Sequence, residues 1–142
     1  RQISQEHRIC ATYEEGLSLT SQSFYNLKIL RSPGVDFNHH YLLGLINSQL
    51  LSYYFIKSFG SYKKLFPRIL IEKIKALPIK VPNSSKERKL AKEVQETVRE
   101  LLAGAEKVKQ DLEERLDELV FDLYELSTAQ RHHVMKFMRS LV

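Results

Sequence analysis

The sequence predicts an α+β fold, in which a small β-sheet with one buried helix precedes a long helical hairpin or coiled-coil segment. Three patterns indicate it: two short strand-like stretches, one stretch that is apolar around most of a helix, and one long apolar stripe with a period near 3.6. Hydrophobic residues make up 43% of the 142 positions, which is enough for a core. The predicted boundary separates residues 1–82 from residues 83–142.

Two stretches near the start of the chain predict the strands of the sheet. Arg8–Tyr13 contains the apolar run Ile9-Cys10-Ala11, is typical of a strand and ends at a turn-like Glu-Glu-Gly. Apolar and polar residues alternate along Ser23–Leu30, which predicts a second strand. Cys10 is the single cysteine, so the chain forms no internal disulfide. Its apolar neighbours indicate a buried position in the first strand.

The buried helix is predicted to begin at a cap formed by Asp36 or Asn38 and to run to about Ser58. Most of its circumference is apolar. Small residues recur every four positions along it and predict a stripe that another element can approach closely. They are Gly44, Ser48 and Ser52.

The second half of the chain predicts helices with clear starting signals. After a short helix at Leu70–Leu77 and an extended piece to Pro82, the capping box Ser84–Glu87 opens a long helix. Its apolar stripe runs from Leu90 to Leu126, over about ten turns, unless Gly104 marks a bend. A second capping box, Ser127–Gln130, starts a last helix that folds back as a hairpin.

The segment 58–82 is strongly basic, with six cations against one carboxylate. Gly60 permits a sharp turn and the prolines fix backbone angles, so a shaped loop is predicted to display the cations beside aromatic residues. Such a loop suits a polyphosphate backbone. The cations are Lys63, Lys64, Arg68, Lys73, Lys75 and Lys80.

Charge is divided unevenly between the two predicted parts. Residues 1–82 contain 11 Lys and Arg against 5 Asp and Glu, whereas residues 83–142 contain 11 against 12. The asymmetry favours a polyanion partner on one side of the molecule. Acidic pairs at Glu113–Glu114 and Asp117–Glu118 are interpreted as a solvated helix face. A competing hypothesis is a protein-interaction or oligomerisation module, in which the long stripe pairs with a partner helix and the lysines only aid solubility.

Other function classes find little support in the residues. The pairs His39–His40 and His132–His133 lack the i,i+4 spacing of a helical metal site, so no metal is predicted. His39, at a helix start, remains a candidate phosphate contact. The sequence has no Gly-rich phosphate loop, no nucleophile elbow and no apolar run long enough for a membrane span. The start at Arg1 rather than methionine suggests a piece of a longer polypeptide.

Several stretches resemble one family of DNA-recognition domains. They are Leu43–Leu50 (Leu-Gly-Leu-Ile-Asn-Ser-Gln-Leu), Tyr54, Gly60–Ile69, Leu77–Ile79 and a closing helix at Leu116–Leu126. In order and spacing they are similar to the TaqI-like C-terminal specificity domain of fused restriction-modification methyltransferases.

The resemblance implies a module that reads a short sequence in double-stranded DNA. It would present the duplex to the N6-adenine methyltransferase domain of the same polypeptide, which uses S-adenosylmethionine and is sometimes fused to a nuclease, in the cytoplasm of a prokaryote. This chain lacks the Asn-Pro-Pro-Tyr/Phe motif and the S-adenosylmethionine glycine motif, so it is expected to carry no catalysis and no cofactor itself. Residues 1–82 would be the distal part of the recognition domain and residues 83–142 a helical spacer with possible self-association.

The predicted DNA contacts centre on the basic loop. Lysine acts as a point charge on phosphates, whereas arginine has a planar fork that suits a phosphate or a guanine edge. The primary candidates are Lys63, Lys64 and Arg68; the secondary candidates are Tyr62, Ser61, Lys57, Lys28 and Arg31.

Overall fold

Six α-helices build the part of the chain that the computed structural model describes, which comprises residues 8–16, 25–59, 71–104 and 106–141. A 3-10 turn at Glu106–Val108 precedes the fifth helix. The helices are α1 (His39–Asn47), α2 (Gln49–Phe59), α3 (Ile71–Lys75), α4 (Ser85–Leu102), α5 (Lys109–Leu123) and α6 (Thr128–Arg139).

The predicted α+β class is wrong, because none of the described residues forms a β-strand. Residues 8–13 are extended, yet their backbone groups pair with helix side chains. The Ile9 N–H donates to Ser52 Oγ at 2.9 Å, and the Ala11 N–H donates to Asn47 Oδ1 at 2.9 Å. Asn47 Nδ2 donates in return to the Ala11 carbonyl at 3.1 Å. These side chains satisfy three backbone groups of the segment, which has a single bridge at Ile9 but no strand among the described residues.

The second predicted strand is also not formed by the residues that the structure describes. Residues 25–30 are described and are irregular rather than paired, and residues 23 and 24 lie outside the described ranges. In the first segment the alternation still decides which side chains are covered. Ile9 is buried against the helices, whereas Cys10 faces outward and is exposed. The predicted burial of Cys10 is therefore wrong.

The single helix predicted from residue 36 or 38 to Ser58 is in fact two helices with a break at Ser48. Asn38 is the N-cap, and its side chain accepts from the Tyr41 N–H at 3.0 Å. At Ser48 the backbone is extended, with ψ of 153°. Its hydroxyl donates to the Leu45 carbonyl at 2.7 Å and accepts from the Leu51 N–H at 3.3 Å. The serine thus closes one helix and caps the next.

The predicted close approach along the small-residue stripe is confirmed at Gly44. A Cβ atom there would lie 2.6 Å from Cγ1 of Val94 and 3.1 Å from Cγ2 of Val98, both on α4. Ser48 and Ser52 are fully buried. The small residues therefore let α1 pack directly on the α4–α5 hairpin.

The long apolar stripe divides between two antiparallel helices. The capping box at Ser84 and Glu87 is confirmed as the start of α4. Gly104 adopts a left-handed conformation, with φ of 78°, and the chain reverses there into α5. At the far end of the hairpin, the Tyr124 hydroxyl accepts from the Lys80 N–H at 3.0 Å and donates to the Pro78 carbonyl. The described residues of the stripe in the main core, among them Val94, Val98, Leu116 and Leu119, are thus covered by the two helices and α1, whereas Val108 is 44% exposed.

The last helix packs on α2 rather than along the whole hairpin. Its predicted capping box, Ser127 with Gln130, is confirmed. A small core of four buried residues joins α2, α5 and α6. They are Ile56, Phe121, Val134 and Met138.

Asp117, predicted to lie on a solvated face, is a buried carboxylate that joins three parts of the chain. It is 5% exposed and accepts hydrogen bonds from Arg8 Nη2 at 2.7 Å and from the Gln49 backbone N–H at 2.8 Å. Burial raises the pKa of Asp117, although Arg8 and Gln49 act in the opposite direction. Asp117 thereby satisfies the first N–H of α2 from outside that helix.

The carboxylate of Glu87 is expected to make the fold sensitive to acid. Hydrogen bonds from the Asn83 N–H, from Lys80 and from the Ser84 N–H lower the pKa of Glu87 from 4.5 to about 2. Since the unfolded chain takes up this proton first, the stabilisation is present above pH 4.5 and is lost as the pH falls towards 2. In Glu87→Gln the amide keeps the capping box, as Gln130 does in α6, but this pH dependence disappears.

Urea midpoints measured between neutral pH and the acid limit test this expectation. The urea midpoint of the wild-type chain should be higher than that of Glu87→Gln near pH 7. The two midpoints should converge as the pH falls. Glu96→Gln, at an exposed position of the same helix, is the control. A difference between the two midpoints that stays constant over the whole pH range contradicts the prediction.

Residues on both sides of the predicted boundary at 82 share the main core. Leu45 and Leu51 of the first part contact the same cluster as Val94, Leu116 and Val120 of the second. The assignment of recognition to residues 1–82 and of a spacer to residues 83–142 stays a prediction about roles.

Candidate nucleic-acid interface

Three of the eight predicted DNA contacts fall within the described residues. They are Lys57, Lys28 and Arg31, and all three are exposed. The other five lie outside the described ranges, so their roles stay predictions; they are Ser61, Tyr62, Lys63, Lys64 and Arg68.

Lys57 is displayed on an aromatic platform in the last turn of α2. Its Nζ lies 4.2 Å from the ring centroid of Phe137 and 5.9 Å from that of Tyr53. The two rings meet edge to face, with centroids 5.3 Å apart. Ring contacts hold the ammonium without neutralising it, and no described carboxylate lies within ion-pairing distance. Within the described part of the chain, Lys57 therefore presents a positioned positive charge that no carboxylate neutralises.

Helix α3 contacts the last turn of α2, the turn that contains Lys57. Residue 60 directly follows Phe59 of α2, and residue 70 directly precedes α3. Nζ of Lys73, on α3, lies 5.4 Å from the ring centroid of Phe59. A side chain of α3 thus contacts the last residue of α2. Residues 60–70, which join the two helices, lie outside the described ranges.

Two of the six cations of segment 58–82 have carboxylate partners. Lys80 Nζ lies 3.0 Å from Glu87 Oε1, and both side chains are more than two-thirds covered. Lys75 lies 3.7 Å from Glu72, but this pair is exposed and contributes little. Lys80 therefore anchors the start of α4 and is no longer a candidate for a polyanion contact.

Lys28 and Arg31 lie at a different place, before the start of α1. The Ile29 N–H between them donates to His39 Nε2 at 3.3 Å. Ser32 then closes a turn by donating to the carbonyls of Gly34 and Phe37 at 2.6 and 2.7 Å. No contact among the described residues joins this region to Lys57, so the structure does not bring these candidates together.

The histidines and acids offer no metal centre within the described ranges, since no three His, Cys, Asp or Glu side chains converge there. His39 packs on Tyr13, with ring centroids 5.7 Å apart, and His133 packs on Tyr53 at 5.9 Å. These contacts give both residues a packing role. None of the described helices is long and apolar enough to cross a bilayer.

A cleft of about 600 Å³ lies between the extended segment 8–11 and the turn of the α4–α5 hairpin. Leu43, Leu101 and Leu116 provide much of its apolar lining. Of its charged residues, Arg8 is bound to Asp117 and lies 4.0 Å from Glu113. The lining thus combines leucine side chains with a structural ion pair rather than an acid–base pair.

Comparison with known proteins assigns the chain to a family. The TaqI-like C-terminal specificity domain matches residues 1–79, which is more than half of the chain. The chain therefore belongs to this family, and the resemblance seen in the sequence is confirmed.

A relative is found in Methanocaldococcus jannaschii, under the name "Putative type II restriction enzyme and methyltransferase RM.MjaORFECS2P". The two are 32% identical over 85 residues. The aligned region is 59% of this chain but 7% of that protein, so the chain corresponds to a small part of the relative. No solved structure matches the chain significantly.

Proposed function

We propose that this chain binds double-stranded DNA and reads a short base sequence for a restriction-modification enzyme. Membership of a specificity-domain family supports the class of function. The observation that carries the binding surface is Lys57, which lies over the Phe137 ring in the last turn of α2 with no described carboxylate within ion-pairing distance. Lys63 and Lys64 follow it closely in the chain. Cations on a positioned surface supply affinity through phosphates, and contacts with base edges supply specificity.

The proposed roles follow the chemistry of each side chain. Lys63, Lys64 and Lys57 neutralise phosphates, and Arg68 takes a phosphate or a guanine edge. Tyr62 and Ser61 add contacts from the same segment. Lys28 and Arg31 would contribute separately, because they precede α1 and no contact among the described residues joins them to Lys57.

Catalysis is assigned to other parts of the polypeptide. The relative is named both a restriction enzyme and a methyltransferase, and this chain spans 7% of it. We infer that a methyltransferase domain of the same polypeptide binds S-adenosylmethionine and modifies adenine, while the present chain holds and orients the duplex. Both would operate in the prokaryotic cytoplasm, where their DNA is found.

Binding of the wild-type chain to mixed-sequence duplex at two salt concentrations tests the proposal. We expect the association constant to fall steeply with salt, by roughly 0.9 logarithmic units per phosphate contact for each tenfold rise. A sizing run on the same sample separates the competing module, which would self-associate without affinity for DNA. Dimerisation that is insensitive to salt, with no duplex binding, would refute DNA recognition.

The fold weakens the main support for that competing hypothesis. The long apolar stripe was predicted to need a partner helix. Val94, Val98 and Leu116 instead face one another and α1 within the same chain. An intermolecular partner is therefore not required to cover them.

A further inference from the structure

Helix α6 differs in charge from the hairpin that precedes it. Residues 83–126 contain eight Lys and Arg against twelve Asp and Glu, whereas residues 127–142 contain three against none. The near-neutral total for residues 83–142 therefore conceals an acidic hairpin and a basic last helix. A surface that only needs solvation usually mixes both signs, as α4 does.

The exposed face of α6 gathers its basic side chains. His132, Lys136 and Arg139 follow one another at steps of four and three residues, so they share one side of the helix. His133 lies beside them, and all four are exposed. Val134 and Met138 occupy the opposite side and are buried. The basic face is thus turned outward by the packing of the apolar face.

Ion pairs neutralise only the first part of α6. Arg131 lies 2.9 Å from Glu118 and 2.6 Å from Asp122, both on α5. Among the described residues, neither Lys136 nor Arg139 has a carboxylate within ion-pairing distance. The positive charge of the helix is therefore concentrated towards its C-terminal end.

That end of α6 lies beside the end of α2. Tyr53 packs on His133 and on Phe137, with ring centroids 5.9 and 5.3 Å apart, and Lys57 lies over Phe137. The contacts of α2 and α6 therefore proceed from Tyr53 to Lys57 on one helix and from His133 to Phe137 on the other, so the two helices run parallel. Lys136 and Arg139 therefore lie on the helix that supports Lys57 and extend the exposed positive charge next to it.

We propose that the exposed face of α6 is a second contact with the phosphate backbone of the bound duplex. Lys136 and Arg139 provide the charge, and the core beneath them fixes α6 against α2. The inference rests on the proposed function but concerns residues beyond the family match, which ends at residue 79. Two neighbouring cationic elements neutralise more phosphates than either does alone, so affinity and its salt dependence both rise.

The test compares two variants that remove the same charges from different helices. Lys136→Gln with Arg139→Gln is expected to weaken binding to mixed-sequence duplex roughly 60-fold at about 0.1 M salt and to reduce the salt slope by about 2, the effect of two lost phosphate contacts. Lys89→Gln with Arg99→Gln, at exposed positions of α4, is the matched control and should bind like the wild type. Equal urea midpoints establish that both variants are folded.

A charge-preserving variant and a loop variant separate the possible outcomes. Lys136→Arg with Arg139→Lys should keep wild-type affinity, because phosphate contacts need the charge more than the shape. If the α6 variant binds like its α4 control while Lys63→Ala with Lys64→Ala loses affinity, the α6 contact is refuted and DNA recognition stands. A wild-type chain that binds no duplex at low salt refutes both.

Discussion

Replacement of Asp117 by alanine is expected to lower the free energy of unfolding by about 3 kcal/mol. The change removes the nearest carboxylate of Arg8, whose side chain is 18% exposed, and the acceptor of the first N–H of α2. Polar groups left buried after such a deletion are costly, and partial access to water puts the loss towards the lower end of the usual range. Urea unfolding at pH 7 measures the effect.

The neighbouring carboxylate supplies the control. Glu118 is on the same helix and pairs with Arg131 at 2.9 Å, but its side chain is 55% exposed. Glu118→Ala should cost less than about 1 kcal/mol, as exposed pairs do. Asp117→Asn keeps an acceptor for the Gln49 N–H, so its loss in the free energy of unfolding should lie between those of Asp117→Ala and Glu118→Ala. Similar losses for Asp117→Ala and Glu118→Ala would contradict a central role for the buried carboxylate.

The second large effect concerns the basic segment itself. Lys63→Ala with Lys64→Ala is expected to reduce duplex affinity roughly 60-fold at about 0.1 M salt and the salt slope by about 2. Because phosphates are common to all sequences, the loss should be similar for cognate and mixed-sequence duplexes. Titrations at several salt concentrations measure both quantities.

A matched pair on α4 again provides the control. Lys86 and Lys89 are exposed, and Lys86→Ala with Lys89→Ala removes the same charge. This variant should bind like the wild type. Unchanged affinity in the Lys63 and Lys64 variant would remove the segment from the interface, whereas a loss confined to one sequence would indicate base contacts instead.

Local signals in the sequence predicted the helices well. Both capping boxes, at Ser84 and Ser127, form as expected because each depends on residues only three positions apart. The sheet was not predictable in the same way. Alternation at Ile9 and Ala11 predicts an extended backbone with one covered face. It does not specify the hydrogen-bonding partner, which here is a pair of helix side chains, Asn47 and Ser52.

Asp117 shows why a buried charge escapes linear reasoning. It lies among acids, which favours a solvated face, yet Val120 and Phe121, three and four residues further on, are buried. That spacing places Asp117 on the covered side and was a usable signal. Its partners, Arg8 and Gln49, are 109 and 68 residues away in the chain. Only the packing of α5 against the α1–α2 junction brings them together.

The extent of the candidate surface was equally hidden. Local cation density predicts a DNA contact at Lys63, Lys64 and Arg68, which stays a prediction because these residues lie outside the described ranges. The net charge of residues 83–142 adds Lys136 and Arg139 to the acidic residues of the hairpin, so it does not reveal the basic last helix. Their relation to Lys57 depends on the parallel packing of α6 on α2, which no short-range pattern reports.

The link between Gln49 and Asp117 limits how this family member can be recombined with others. In a chimera that exchanged residues 1–79 alone, the start of α2 would come from the donor, but the carboxylate that accepts from its first N–H would come from the recipient. Gly44 would likewise come from the donor, and the valines of α4 that pack on it from the recipient. Grafts intended to transfer recognition between homologues should therefore carry residues 80–141 with the donor sequence.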